Sequence, residues 1–230
     1  MRIGLDAGHG GNSSGTYSVN TTKDGLFEKD YALELCLLVG NALKRNGYDV
    51  VFTRIHDINP GDVSKRALQM VRANVDFALS IHFNGFSDKS ANGCEIFVPY
   101  QEKYATIECG LKKVLTKYFK AREPFARSNS YYDRNIIFDK KMNLKTNLFD
   151  YYDDQLDYFG FVRTCWSGGV SADLLEVCFL TNAEDFNTYI KNKDAIAEGI
   201  AKSIVEGFGG IFVPEKKPKS LNLKKVNLIK

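Results

Sequence analysis

The sequence predicts an α/β fold: a single twisted mixed, mostly parallel sheet with helices on both faces. Three observations predict it. Short apolar runs ended by small or polar residues alternate with segments whose apolar positions recur every three to four residues, the pattern of strands separated by helices. The 230 residues, 44% hydrophobic and 26% charged, suffice for one sizeable core. No apolar run is long enough to cross a bilayer, so no membrane insertion is expected.

Each element follows in order. "RIGL" (Arg2 to Leu5) reads as a short buried strand running into the glycine-rich turn "DAGHGG" (Asp6 to Gly11). "EKDYALELCLLVGNALKRNG" reads as a helix with Tyr31, Leu35, Leu38 and Ala42 on one face and Gly47 able to end it. A strand, "YDVVFTR" (Tyr48 to Arg54), precedes a helix over Asp62 to Asn74 with Asp62 as N-cap. Strands are expected over Asp76 to Asn84 and Gly93 to Val98, then a helix over Tyr104 to Lys120. An apolar strand, Asp173 to Leu180, and a closing helix, Lys193 to Phe208, complete the pattern.

Two stretches break it. Ten aromatics fall between Tyr131 and Trp166 among dense charge, and we read an inserted aromatic-rich segment over about 129–167. From 211 to 230 the chain reads as a lysine-rich linker, leaving a single domain over 1–210. Six lysines and no acids occupy 216–230, so the formal net charge of +3 belongs to the tail. The remainder carries 25 basic and 28 acidic residues, which argues against a nucleic-acid-binding core. The five cysteines are odd in number and show no C-x-x-C, so reduced structural thiols made in a cytoplasm are expected. One arginine and a four-residue strand do not make a signal peptide, so no cleaved leader is expected.

Several polar residues sit where polar residues are costly. His9 stands at the end of the first strand, on the edge where open α/β sheets bind ligands. It is either a metal ligand or a turn histidine facing water. His82 ends another buried strand, and Glu28 opens the first helix. Glu176 is a carboxylate inside an apolar strand, which demands a partner, a metal or a proton. A structural ion pair with Arg66 or Arg72 is the plain alternative for it. Two histidines, one carboxylate and an open fourth position are the ligand set of a hydrolytic zinc site, which needs a further carboxylate as general base. Glu176 fits that second role. His56, on a loop, is read as a surface residue, or as a third histidine ligand if Glu28 is not one.

Four segments, in order, resemble the zinc-dependent N-acetylmuramoyl-L-alanine amidases of bacteria and phages: "LDAGHGG", "GLFEKDYALEL", "KRALQMVRANVDFALSIHFNG" and "LLEVCFLTNAEDF". The resemblance implies one zinc ion held by His9, Glu28 and His82, with Glu176 as catalytic acid/base. Arg66 and Asn84 would support the site or contact substrate. It implies peptidoglycan as partner, cut between muramic acid and L-alanine. Without a signal peptide, such an enzyme would be a phage endolysin or, as a close variant, a bacterial lysis or sporulation amidase without a leader: synthesis in the bacterial cytoplasm, release, then action on the wall, with 211–230 a linker or the start of a wall-binding domain.

This chain departs from the family in its aromatic segment, which would be a substrate lid or else an add-on or dimer surface. It departs again at Cys178, where the family more often has glycine; strand alternation puts Cys178 on the face of Glu176, as a metal neighbour or a space filler. Two other functions stay open from residues alone. One is a zinc exopeptidase, for which Asp6 would be an added ligand. The other is a non-catalytic wall-binding module, which leaves Glu176 unexplained.

Overall fold

A computed structural model describes residues 1–99, 105–127, 135–136 and 159–215. Among these, the strands are β1 (Arg2–Ala7), β2 (Asp49–Phe52), β3 (Phe77–Asn84), β4 (Cys94–Phe97), β5 (Ala121–Arg127), β6 (Asn135–Ile136) and β7 (Ser171–Phe179). The helices are α1 (Thr21–Asp24), α2 (Glu28–Arg45), α3 (Val63–Arg72), α4 (Ala105–Leu115), α5 (Gly160–Ser167) and α6 (Ala183–Gly207). The strands form one sheet in the order β2-β1-β3-β7-β4-β5-β6. β1 pairs in parallel with β2 and β3, β3 with β7, and β4 with β5; β7–β4 and β5–β6 are antiparallel. The sheet is therefore mixed and mostly parallel, as expected.

Alternation along the strands splits the core. Ile3 and Leu5 of β1, Phe77, Leu79 and Ile81 of β3, and Leu175 of β7 pack with α2, α4 and α6. Ala78 and Ala172, on the other face, pack with Ala67 and Met70 of α3 and Phe161 and Cys165 of α5. Helices thus cover both faces, and the central strands are buried on both sides.

The ends of elements show where local chemistry decides. Asp62 caps α3, its side chain accepting from Lys65 N at 2.8 Å. α2 begins at Glu28 because the Asp30 carboxylate reaches back to Phe27 N at 2.9 Å. α6 starts ten residues before the expected Lys193, since Asn182 caps it by accepting from Glu184 N and Asp185 N. α1, β5 and β6 carry too few periodic residues to be expected, and Tyr104 lies outside the described residues. Of the aromatic segment, Gly160–Ser167 forms α5; 137–158, like the tail from 216, lies outside them. No helix among the described residues is long and apolar enough to cross a membrane.

β7 contains an extra residue. His82 pairs with Glu176, but Asn84 pairs with Phe179, so β7 takes three steps where β3 takes two. The bulge breaks alternation after Glu176, and Cys178 joins Leu175 and Val177 in the core beneath α2 and α6. The expectation that it shares the face of Glu176 is corrected: it fills space in the core. Cys36, Cys94, Cys165 and Cys178 are buried and none of the five cysteines is in a disulfide, with burial pushing Cys94 up to about 12.

Candidate metal centre and active site

The parallel strands β1 and β3 end at the same edge of the sheet, and the N-terminus of α2 meets them there. Glu28 N donates to Thr16 O at 2.9 Å and Lys29 N to Ser14 O at 3.1 Å, which ties the loop after β1 to the helix start. This brings His9, Glu28 and His82 together, each offering one ligand atom within 4.8 Å of the others. His9 Nε2 lies 3.2 Å from Glu28 Oε2, and His82 Nδ1 lies 2.9 Å from Glu28 Oε1. The two imidazoles meet edge to face, with centroids 4.9 Å apart.

Glu28 is 4% exposed. Its Oε1 accepts from Phe83 N at 3.1 Å and its Oε2 from Thr16 N at 2.9 Å. Burial raises its pKa, but the hydrogen bonds and charges of His82 and His9 outweigh that, holding the carboxyl well below the usual carboxylate range. A deprotonated carboxylate beside two imidazoles is the donor chemistry of a hydrolytic zinc site, so the three residues fit that ion.

The backbone is shaped for this cluster. His9 has φ 61°, a left-handed conformation that costs a non-glycine residue about 1–2 kcal/mol. Its ring is held by Ser13 Oγ, 3.0 Å from Nδ1. Gly8 is glycine because of His82: a Cβ there would lie 2.6 Å from the His82 ring. The turn is glycine-rich so that two histidines can approach each other.

A cleft of about 690 Å³ opens over the cluster. Glu176, half-buried, lines it from β7 directly beside His82, and Asn84 and Arg66 line it too. Val63, Phe161 and Leu174 give it an apolar wall. Arg66 supports from behind: its Nη1 donates to Asp6 Oδ2 at 2.6 Å. Asp6 also accepts from Ser80 Oγ at 2.6 Å and Thr53 Oγ1 at 2.7 Å. Asp6 is thus a buried acceptor under the sheet edge, outside the donor cluster. His56 is exposed and outside the cluster as well.

Two residues of the site were not anticipated. Glu95 on β4 pairs across the sheet with Glu176, accepts from Asn84 Nδ2 at 2.9 Å, and faces Arg122 Nε at 3.1 Å. Its signal was present: like Glu176, it is an acid inside an apolar strand, "GCEIFV". Arg54, at the end of "VVFTR", is buried against the His9 turn. An arginine after a strand carries no periodic signal of burial.

The profile of the N-acetylmuramoyl-L-alanine amidase family matches residues 3–206. The chain belongs to this family. It is therefore a hydrolase of the amide bond that the family name specifies, acting on peptidoglycan. A comparison with curated proteins finds no match. Several solved structures share the fold. Cwp6 from Clostridium difficile is 24% identical with a TM-score of 0.68, over 90% of this chain and 29% of that one. This chain thus spans under a third of Cwp6. The N-acetylmuramoyl-L-alanine amidase of Clostridium difficile 630 is 22% identical with a TM-score of 0.68, over 91% and 97% of the two chains. The catalytic domain of the CD27L endolysin targeting that species is 17% identical with a TM-score of 0.61, over 90% and 97%.

Proposed function

We propose that this amidase works with one zinc ion held by His9, Glu28 and His82, and that Glu176 moves the proton. The observation that supports this reading is the cluster of two imidazoles and a deprotonated carboxylate at the floor of the cleft, with Glu176 at its rim. A zinc ion held by these three residues would lower the pKa of a water to about 7 and would polarise the scissile carbonyl. The chain's residues do the rest. Glu176 accepts the proton of the attacking water and returns it to the departing amine of L-alanine. Asn84, its amide fixed by Glu95, orients the substrate, and Arg66, held by Asp6, supports the cleft from behind. The apolar wall of Val63, Phe161 and Leu174 limits water around the reacting atoms.

The test is a digest of purified peptidoglycan, with and without chelator, reading the new chemical groups. New L-alanine amino termini that vanish with chelator and return with zinc support the reading. New reducing ends, or amines from another peptide position, refute the bond. Glu176→Ala should lower cleavage at least about a hundredfold while zinc stays bound; unchanged cleavage refutes the role of Glu176.

The lytic setting belongs to the same proposal: synthesis in a bacterial cytoplasm, then action on the wall after release. The lysines of 216–230 would draw the enzyme to anionic wall polymers. Deleting them should lower the fraction that sediments with purified walls, most clearly at low salt; equal sedimentation refutes that role for the tail.

A further inference from the structure

Arg54 follows β2 by two residues and is 3% exposed. A buried guanidinium must find acceptors for its donors or be expelled. Among the described residues it forms no ion pair, and its donors go to backbone carbonyls. Nε donates to Ala7 O at 3.2 Å and His9 O at 3.0 Å. Nη2 donates to Gly8 O at 2.9 Å and Lys29 O at 2.6 Å. The first three carbonyls belong to the turn that carries His9. The fourth belongs to the residue after Glu28.

One planar group therefore bridges the two segments that present His9 and Glu28. Its grip on the His9 carbonyl also holds that residue in the left-handed conformation. The turn makes room for it: a Cβ on Gly10 would lie 3.0 Å from Arg54 Cδ and 2.6 Å from Ile58 O. With Nη1 also donating to His56 O at 3.4 Å, charge-assisted bonds reach five carbonyls, which requires the flat fork of arginine that lysine lacks.

We propose that Arg54 is a positioning residue that sets the spacing between the His9 and Glu28 donors before metal arrives. This rests on reading His9, Glu28 and His82 as the zinc centre. It goes further by assigning the assembly of that centre to a residue that donates nothing to the ion.

The test measures zinc affinity, by competition with a chromophoric chelator, for the wild type, Arg54→Gln, Arg54→Lys and Val39→Ala. Val39 is a buried core residue of α2 and controls for stability loss alone. Arg54→Gln and Arg54→Lys should keep a cooperative unfolding transition and bind zinc about 10–100-fold more weakly, the usual cost of losing a group that orients ligands. Val39→Ala should lose stability and keep its affinity. Unchanged affinity in both Arg54 variants overturns the proposal, as does an equal loss in Val39→Ala. Should both variants fail to fold, hydrogen exchange in the wild type decides. The Gly8 and Gly10 amides, bonded to Ile81 O and Ser13 O, should be equally protected with and without zinc. Protection that appears only with zinc overturns the proposal. A wild type that binds no zinc overturns the metal reading itself, an outcome distinct from the others.

Discussion

Asp6→Ala removes the acceptor at which three buried donors converge. Asp6 is fully buried and takes Arg66 Nη1 and Ser80 Oγ at 2.6 Å and Thr53 Oγ1 at 2.7 Å. The Arg66 guanidinium, 6% exposed at its side chain, loses its carboxylate partner and keeps only the small edge that it shows to the cleft. Breaking a buried pair from one side costs about 3–5 kcal/mol, because the surviving charge is stranded. In a domain of this size that corresponds to a fall in Tm of about 6–20 °C. Equilibrium unfolding in urea measures the loss directly. The double variant Asp6→Leu with Arg66→Leu strands no charge and should lose less than the two single variants together. A loss under about 1 kcal/mol for Asp6→Ala, or additive single variants, would refute the claim that this pair is a tightly coupled support beneath the cleft.

Gly8→Ala places a methyl 2.6 Å from the His82 ring and should weaken zinc binding while costing about 1–3 kcal/mol of stability; wild-type zinc affinity in a chelator competition would exclude the contact. Asp185 accepts from Gly93 N at 2.8 Å and Phe179 N at 3.0 Å, and burial, the largest influence, raises its pKa despite those bonds. A raised carboxyl favours the fold below its unfolded pKa of about 3.9 and loses that contribution as pH rises through the folded value. Asp185→Asn keeps an oxygen for both amides and has no charge to bury. It should therefore gain stability relative to the wild type between pH 4 and pH 7, and urea midpoints of both proteins at the two pH values would show it. A gap that stays constant or reverses would contradict the assignment.

Much of the fold was legible because its signals are periodic. The apolar run Phe77 to Phe83 and the α2 face of Tyr31, Leu35 and Ala42 announce a buried strand and a helix packed on it. The candidate site was legible for a different reason: His9 and His82 end apolar strands and Glu176 stands inside one, where polar residues are unusual, and all three are half-buried. Arg54 escaped because its function lies in bonds to backbone carbonyls, which leave no trace in residue type. Cys178 was misplaced because one inserted residue in β7 reverses alternation, and no local composition marks the bulge. The early start of α6 is set by the capping residue Asn182, and Phe186 and Tyr189, three residues apart and buried, already mark its apolar face before Lys193.

The strand order has a consequence for how the enzyme comes into being. β7 lies between β3 and β4, although β3, β4 and β5 all precede it in the chain. While the ribosome is still short of residue 171, the three candidate donors His9, Glu28 and His82 have been made, but the middle of the sheet is an open slot. β3 and β4 have nothing to pair with across it. Only the arrival of Ser171–Phe179 joins the two halves, and the same strand delivers Glu176. Long-range pairing of this kind is slow and comes late. The last strand to enter the sheet thus completes the scaffold and brings Glu176 to the candidate site in one step. On the proposed mechanism, a nascent chain that already holds His9, Glu28 and His82 has no proton carrier until its fold is nearly complete.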